Sequence, residues 1–357
     1  MHDPSSLRPR RVLFHGNARE YFGIWIVNLL LSIVTLGIYS AWAKVRTNKY
    51  FYQNTEIADR RFDYHATGMQ ILIGRIIIVA GFIIFQLLAL VPLALLLVII
   101  GFLFLFPWLV TRSLRFNARV TTWANVRFNF DGKPWRAFLV YLLYPVLSAL
   151  TLYLAYPFAD RARRRFVVGH HLIGRSRLSF DSSIGPFYMA MLAFVGVVLV
   201  TLALTFAGTI PTLMQLFSDG SFRANRGFDG MESFVWILVR AYIGAAVAFV
   251  LGGMVYAAMM RNIIYCGTKI DGGHALHSNM PVGGYVWVGL SNAVVVIMTL
   301  GLMLPWAKVR MARFLAAHTQ VMIAGDLDAF IGDILPEGGA FGDAYTDMEA
   351  IDLGLPA

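Results

Sequence analysis

The sequence has a single cysteine, Cys266, so no disulfide bond can form within the chain. This excludes the disulfide frameworks that stabilise small secreted domains. Charge is also scarce, since charged residues make up 14% of the 357 residues and hydrophobic residues 58%. A soluble domain carries about 25% charged residues. With a mean hydropathy of +0.65, the composition indicates a membrane protein.

Acidic residues are missing from the long apolar runs. Seven runs approach the length that crosses a bilayer as a helix. They lie near residues 22–42, 71–90, 93–111, 137–158, 187–211, 234–258 and 284–306. Their ionisable side chains are Arg75 and Arg240, close to the ends of their runs. Proton-coupled transport through a buried carboxylate is therefore disfavoured.

The sequence also lacks the motifs of soluble enzymes, such as a phosphate-binding glycine loop or an HExxH zinc motif. Cys266, His274 and His277 fall in one loop, but their spacing fits no standard metal site. His170 and His171 follow a run of arginines, which is more typical of a wet interface than of a catalytic base. We therefore expect no catalytic residue, no metal and no cofactor.

Charge divides the chain into three parts. Eight acidic residues and no Lys or Arg follow residue 325, which predicts an acidic disordered tail over 326–357 that offers a surface to a protein partner. Residues 1–11 are polar and basic and are expected to be disordered. The predicted membrane domain covers 12–325, and its excess of Lys and Arg favours anionic membrane lipids over nucleic acid as partners. The oligomeric state is left open.

One segment of the sequence occurs twice and, more weakly, a third time. The copies are TLGIYSAWAKVR (35–46), TLGLMLPWAKVR (299–310) and, between them, TLYLAYPFADRA (151–162). This predicts three internal repeats separated by two apolar helix pairs. The repeats lie near 12–70, 126–186 and 266–325, and the helix pairs near 71–111 and 187–258. The expected fold class is all-α, a polytopic helical membrane protein.

Each repeat carries aromatic and basic residues on one helical face. Trp42, Arg46 and Lys49 are spaced i, i+4 and i+7, and Trp306, Arg310 and Arg313 share this spacing, while Phe158 and Arg165 keep two of the three positions. An aromatic ring beside two cations favours contact with anionic lipid or another anion. The simpler interpretation is an interfacial anchor that positions the repeat.

Polar residues also recur inside the apolar repeat segments. Asn28 and Thr35 lie two turns apart on one helical face, and Asn292 and Thr299 do so in the last repeat. Such groups usually bond to a neighbouring helix. The alternative is that they line a solute path.

Two topologies fit the apolar runs. In the first, every run crosses the membrane once. In the second, each repeat segment enters and leaves on the same face and is broken at Gly37, Tyr153 or Gly301. The second topology leaves Arg223 and Arg226 as the basic loop residues on the outer side, which agrees with the positive-inside bias.

The segments FHG, NLLLSIVTLGIYSAWAKVRTNKYFYQNT and TLGLMLPWAKVRMARF resemble the YjgN-like family of bacterial inner-membrane proteins, a domain of unknown function. The resemblance spans roughly residues 11–320. It implies a multi-pass protein of the bacterial inner membrane and brings no established activity. The middle repeat departs from the pattern, with Asp160 and Ala162 in place of Lys and Arg.

Two functions remain open at this point. The first is a small-solute transporter or permease-like protein, because duplicated membrane folds often surround a solute path. The second is a non-enzymatic membrane scaffold or a protein that interacts with anionic lipid.

Overall fold

The computed structural model describes residues 7–88, 90–211, 214 and 227–334. Among these residues, ten short antiparallel strands close into a barrel. The strands are β1 (Arg8–Phe14), β2 (Thr55–Ile57), β3 (Arg60–Tyr64), β4 (Thr121–Trp123), β5 (Val126–Phe130), β6 (His171–Ile173), β7 (Ser176–Phe180), β8 (Thr268–Ile270), β9 (His274–Ser278) and β10 (Thr319–Ile323). Neighbours in the chain are neighbours in the barrel, and β1 closes it between β2 and β10.

Helices connect the strands. In the described part of the chain they are α1 (Ala18–Val34), α2 (Ser40–Gln53), α3 (Gly68–Leu88), α4 (Pro92–Arg119), α5 (Pro134–Phe138), α6 (Tyr144–Leu150), α7 (Tyr156–Gly169), α8 (Gly185–Ala207), α9 (Gly227–Gly267), α10 (Val282–Met298), α11 (Leu304–Ala317) and α12 (Leu327–Ile334). A π-helical turn, Leu139–Leu143, joins α5 to α6. A pair of helical segments thus alternates with a hairpin of strands. The remaining two strands, β1 and β10, come from opposite ends of the described chain and pair with each other.

The expectation of an all-α fold is wrong because of this barrel. Strands β2 to β9 have three or five residues each, too few to give a clear alternating pattern beside long apolar helices. The barrel is closed by the pairing of Arg8 with Ile323, a contact that no local pattern predicts. Apolar helices precede and follow the strands along the chain, so the fold combines helical membrane segments with a sheet.

Tight turns connect the hairpin strands. Ala58 and Asp59 both have positive φ, 49° and 61°, and Ala124 and Asn125 have φ of 52° and 61°. Positive φ at both central residues defines a type I′ turn, whose twist matches that of paired strands. Asp and Asn tolerate this conformation better than most side chains.

Where the helices meet the barrel, one backbone hydrogen bond recurs five times among the described residues. The N–H of the residue after one strand donates to the carbonyl of the residue before its neighbour, at 2.7–3.3 Å. The pairs are His15 with Asn54, His65 with Val120, Asp131 with His170, Asp181 with Gly267, and Asn279 with His318. The junction residues before and after each helix pair therefore lie together at one end of the barrel, opposite the hairpin turns.

A side chain satisfies a helix carbonyl at each of these junctions. The first residue of the strand bonds to the carbonyl four residues earlier, through the hydroxyls of Thr55, Thr121, Thr268 and Thr319 and through Nδ1 of His171. The last carbonyls of a helix have no partner within the helix. These side chains supply one at the point where the helix gives way to a strand.

Apolar side chains fill the barrel. The buried members come from the strands and their turns and from α12: Trp123, Val126, Ile173, Ile270, Ile331 and Ile334. Helix α12 lies close to the β6–β7 turn, where the carbonyl oxygen of Ile334 accepts a hydrogen bond from the N–H of Arg175 at 3.3 Å. A Cβ atom on Gly174 would lie 2.0 Å from that oxygen, so the site has no room for a side chain. The interior is a packed core, as in other small barrels.

The chain divides into two compact units, and the barrel belongs to the first. The second consists of Ser183–Ile263 and Met280–Leu290. Within it, the ring of Phe194 on α8 contacts the rings of Phe249 and Tyr256 on α9, at centroid distances of 5.9 and 6.4 Å. Gly244 of α9 lies against Thr205 of α8. Small residues at such crossings let apolar helices approach closely.

Four of the described helices are long and apolar enough to cross a membrane: Gly68–Leu88, Leu95–Arg119, Gly185–Ala207 and Val235–Gly267. They overlap the two predicted helix pairs, 71–111 and 187–258, and each of them extends beyond these bounds. The segments Pro134–Leu150 and Val282–Met298 are apolar but shorter.

The two ends of the chain differ from expectation where they are described. Residues 8–11, expected in the disordered N-terminus, belong to β1. Residues 327–334, expected in the acidic disordered tail, form α12, with Ile331 and Ile334 buried. Residues 1–6 and 335–357 of these segments lie outside the described residues.

Candidate functional site

The candidate site is built on three short helix pairs, each broken by the same turn. Residue 37, 153 or 301 has positive φ, and its N–H donates to the carbonyl five residues earlier. These bonds are Gly37 to Ser32 (2.7 Å), Tyr153 to Ser148 (2.7 Å) and Gly301 to Val296 (2.8 Å). Positive φ suits glycine, whereas Tyr153 adopts it at a steric cost. The breaks lie at the positions that the re-entrant topology requires.

Threonines at the start of these turns cap the helix that follows. The Thr35 hydroxyl donates to the carbonyl of Leu31 at 2.7 Å and accepts from the N–H of Tyr39 at 2.9 Å. Thr299 makes the corresponding bonds to Val295 and Met303, at 2.7 and 3.2 Å. Both hydroxyls therefore satisfy backbone groups of their own turn, which water would otherwise satisfy.

The tips of the turns present bare apolar side chains. Leu36 is 94% exposed, Leu152 86% and Leu300 95%. Each of the three matching turns thus exposes a large apolar side chain that the described chain does not cover. Lipid acyl chains are a favourable environment for such side chains.

Each tryptophan follows the leucine of its tip by six residues and packs on neighbouring side chains. The ring of Trp42 stacks on Tyr39 at 6.2 Å, and a Cβ atom on Gly68 would lie 2.4 Å from the Trp42 ring. The ring of Trp306 lies 5.1 Å from the guanidinium carbon of Arg310, a cation–π distance. In the middle repeat the corresponding Phe158 is exposed.

The cations of the first and last repeats are used differently. Arg310 donates to the Ser291 hydroxyl at 2.7 Å and to Asn292 Oδ1 at 2.8 Å. Arg313 donates to the carbonyl of Gly16 at 2.7 Å. Arg46 and Lys49, their counterparts in the first repeat, are exposed, and Arg46 lies 6.0 Å from the Tyr39 ring. The first repeat therefore presents its cations outward, and the last one uses them internally.

The two asparagines show the same contrast. Asn292 Nδ2 donates to the carbonyl of Ala307 at 3.1 Å, so both ends of this amide are bonded. Asn28 is 4% exposed, and neither its Oδ1 nor its Nδ2 has a hydrogen-bond partner among the described residues. A buried amide without partners is costly and is uncommon in native proteins.

The middle repeat forms its own ion pairs. Asp160, which stands where the other repeats have Lys44 and Lys308, is fully buried and accepts a hydrogen bond from Arg163 Nε at 3.1 Å. Arg165 lies 3.5 Å from Asp181 in an exposed pair. The middle repeat therefore contains a buried carboxylate that is paired with an arginine of its own helix.

Two groups of interest lay outside the sequence-based site. Arg75 on α3 donates to the Ser40 hydroxyl on α2, next to Lys44. A cavity of about 670 Å³ at the hairpin-turn end of the barrel is lined by charged residues that include Arg8, Arg10, Arg60, Asp326 and Asp328. The first group depends on the packing of α2 against α3, and the second depends on the closure of the barrel. The spacing of residues in the sequence therefore predicts neither.

The side chains of Cys266, His274 and His277 do not come together at one site. Cys266 Sγ lies 3.5 Å from His277 Nδ1, whereas His274 Nδ1 accepts a hydrogen bond from the N–H of Ala324. The His274 ring packs edge-on against Phe330 of α12 at 4.2 Å. Within the described residues, no group of His, Cys, Asp and Glu is arranged to hold a metal.

A barrel of strands joined to apolar helices of membrane-crossing length defines a multi-pass membrane protein. The chain belongs to the DUF898 family, bacterial proteins of unknown function, whose profile matches residues 9–348. The resemblance in the sequence is thereby confirmed.

Curated relatives place the family in a membrane. The chain is 25% identical to the inner membrane protein YjgN of Salmonella typhimurium over 382 aligned positions, covering 89% of each protein. It is 30% identical to YjgN of Escherichia coli O157:H7 and of strain K12 over 218 residues, 60% of this chain and half the length of these relatives. No solved structure shows significant similarity to the chain. The protein is thus a multi-pass protein of the bacterial inner membrane.

Proposed function

We propose that the protein is a non-enzymatic inner-membrane protein that binds anionic lipid at the cytoplasmic face. The observation that carries this proposal is the form of the short helix pairs. Their tips expose leucines almost completely, and Arg46 and Lys49 face outward on the helix that returns from the first tip. An apolar tip with cations behind it fits one leaflet with its anionic head groups.

Helix length supports insertion into one leaflet. The returning helices α2, α7 and α11 have 14 residues each, which span about 21 Å. The hydrocarbon core is about 30 Å thick. In this proposal the short pairs enter and leave on one side, while α3–α4 and α8–α9 cross twice.

The barrel supports the same topology. The junction hydrogen bonds bring the residues before and after each helix pair together at one end of the barrel. This supports the proposal that both ends of each pair lie on one side of the membrane. The barrel strands carry many cations: Arg8, Arg10, Arg11, Arg60, Arg61, Arg127, Arg177 and Lys269. Basic segments stay on the cytoplasmic side, so the proposal places the barrel in the cytoplasm.

The test replaces the two outward cations. The double variant Arg46→Gln/Lys49→Gln should insert normally but retain less phosphatidylglycerol and cardiolipin in native mass spectrometry. At about 1 kcal/mol per basic residue near an anionic surface, the loss is about 2 kcal/mol, or about 30-fold in affinity. The matched control is Lys133→Gln/Lys269→Gln, which removes two cations elsewhere in the chain. Equal lipid retention in wild type and in Arg46→Gln/Lys49→Gln would refute the proposal.

Solute transport is the second candidate, and one observation favours it. The buried Asn28 amide has no partner among the described residues, as expected for a group that awaits a polar solute. Thr35, Asn292 and Thr299 instead bond to backbone carbonyls nearby, which suits helix packing. Proteoliposomes would be tested for swelling in glycerol and in arabinose. Swelling that Asn28→Leu abolishes would establish a path, and swelling no faster than in empty vesicles would remove this candidate.

A further inference from the structure

We propose that Lys44 and Arg75, with Arg75 positioned by Ser40, form a binding site for a phosphate group, supplied by an anionic lipid or by free phosphate. Ser40 and Lys44 lie one turn apart on α2 and share a face. Arg75 reaches across from α3, and its guanidinium donates to the Ser40 hydroxyl. Helices α2 and α3 pack closely here, since the Trp42 ring lies against Gly68.

The site brings together two positive charges. Lys44 and Arg75 are half-buried, and burial together with the charge of Arg75 lowers the pKa of Lys44. Among the described residues, neither side chain forms an ion pair with a carboxylate. The sequences of α1, α2 and α3 contain one acidic residue, Glu20, which accepts a hydrogen bond from Tyr50 at 3.3 Å. Like charges held together away from water are unfavourable unless an anion lies between them.

The middle repeat shows what such an anion does. There Asp160 occupies the position of Lys44, and its carboxylate is fully buried between Arg163 and Arg164. Arg163 Nε lies 3.1 Å from Asp160 Oδ1 and Arg164 Nε 3.4 Å from it. In that repeat the chain itself places an anion between two cations. At the corresponding site in the first repeat, the described chain supplies two cations and no carboxylate, so in this proposal the anion comes from outside.

The donors match a phosphate group. A guanidinium offers paired N–H donors, and an ammonium adds a point charge. The Ser40 hydroxyl accepts a hydrogen bond from Arg75 and donates to the carbonyl of Gly37, so it positions the guanidinium. The site lies at the first turn of α2, directly after the exposed tip residues Leu36 and Ile38. A lipid phosphate at this point would keep its acyl chains beside the apolar tip. The lipid source rests on the proposed function, whereas the phosphate chemistry of the site does not.

The experiment compares Lys44→Gln and Lys44→Gln/Arg75→Gln with Lys308→Gln. Lys308 is the exposed counterpart of Lys44 in the last repeat, so its variant is the matched control. Native mass spectrometry would measure bound phosphatidylglycerol in a zwitterionic background. Thermal unfolding of delipidated protein would be followed with and without inorganic phosphate. Lys44 forms no side-chain hydrogen bond with another described residue, so Lys44→Gln should fold. Gel filtration would confirm that it does.

We expect Lys44→Gln to weaken lipid binding about fivefold and the double variant more, with Lys308→Gln unchanged. Stabilisation of wild type by inorganic phosphate, lost in Lys44→Gln, would show that the site takes phosphate from either source. Loss of lipid binding without any response to phosphate would assign the site to lipid. Unchanged lipid binding and unchanged phosphate response in both variants would overturn the site. If Arg46→Gln/Lys49→Gln alone loses lipid, the proposed function survives without this site.

Discussion

Arg310 donates a hydrogen bond to Asn292 Oδ1 at 2.8 Å, whereas Asn28, the counterpart of Asn292, is buried without a partner among the described residues. The first and last repeats therefore hold the same asparagine in two states. In the last repeat the arginine turns inward to the amide, and in the first Arg46 lies beside Tyr39. The difference predicts opposite effects of one substitution.

The variant Asn292→Leu should destabilise the protein by about 1.5–3 kcal/mol, because a hydrogen bond to a charged group is lost. Asn28→Leu should be neutral or stabilising, since it removes a buried amide that bonds to nothing. Leucine is close to asparagine in size, so the pair differs mainly in its bonds. Thermal unfolding in detergent would compare them. Equal losses would mean that Asn28 is bonded in the folded protein.

Stability should depend on pH through His171. Burial lowers the pKa of His171, against the opposing effect of its hydrogen bond to Val167. The unfolded chain therefore binds a proton more readily than the folded protein. Stability from this group is present above about pH 6.5, the ordinary histidine value, and is lost as the pH falls below it.

Threonine should replace His171 without loss of fold, because Thr55, Thr121, Thr268 and Thr319 make the same bond at the other junctions. We expect His171→Thr to reduce the loss of stability between about pH 7.5 and about pH 5.5. Thermal unfolding at both values would measure it, with His277→Gln as a control, since His277 is exposed and forms no ion pair among the described residues. An unchanged pH dependence in His171→Thr would show that other groups cause it.

Helix α12 should be required for a stable barrel. A chain that ends at residue 325 loses Ile331 and Ile334 from the core, at about 1.5–3 kcal/mol for each side chain. A chain that ends at residue 334 keeps them and should unfold at nearly the wild-type temperature. The point variant Ile331→Asp should lower the unfolding temperature, as should the truncation at residue 325. Equal unfolding temperatures for both truncated chains would show that the helix contributes nothing to the core.

The helical part of the fold could be predicted because it depends on local patterns. Runs of about 20 apolar residues predict crossing helices, and the structure has such helices in the two predicted pairs. The break at Gly37 follows from a glycine within an apolar run, and its φ of 90° shows why glycine is suited there. Whether the repeats arose by duplication stays a prediction.

The barrel could not be predicted because its pairing is not local. Strand β1 pairs with β10, which lies at the other end of the described chain. A weak signal did exist, since Arg61–Phe62, Arg127–Phe128 and Arg177–Leu178 each follow a tight turn and place one residue outside and one inside. Recognising it requires reading the segments between the apolar runs as strands.

The candidate site was predictable only as far as helical spacing reaches. The spacing of Trp42, Arg46 and Lys49 puts them on one face, and the two cations are exposed there. The same spacing does not reveal that Arg310 bonds to Asn292 or that Arg313 bonds to Gly16. Those bonds depend on how the helices pack. Contact of these residues with lipid stays a prediction.

The central claim is that every helix pair begins and ends on the cytoplasmic side, at the barrel. Single cysteines in a Cys266→Ala background would be labelled from outside intact cells with an impermeant maleimide. We predict labelling at Leu90, in the turn between α3 and α4, and at Ser221, which lies outside the described residues. Cysteines at Lys49, Arg119, Arg164 and Lys269 should be labelled only after the membrane is permeabilised. Labelling at Lys49 or Arg164 in intact cells would contradict the account, because a short helix pair would then cross the membrane.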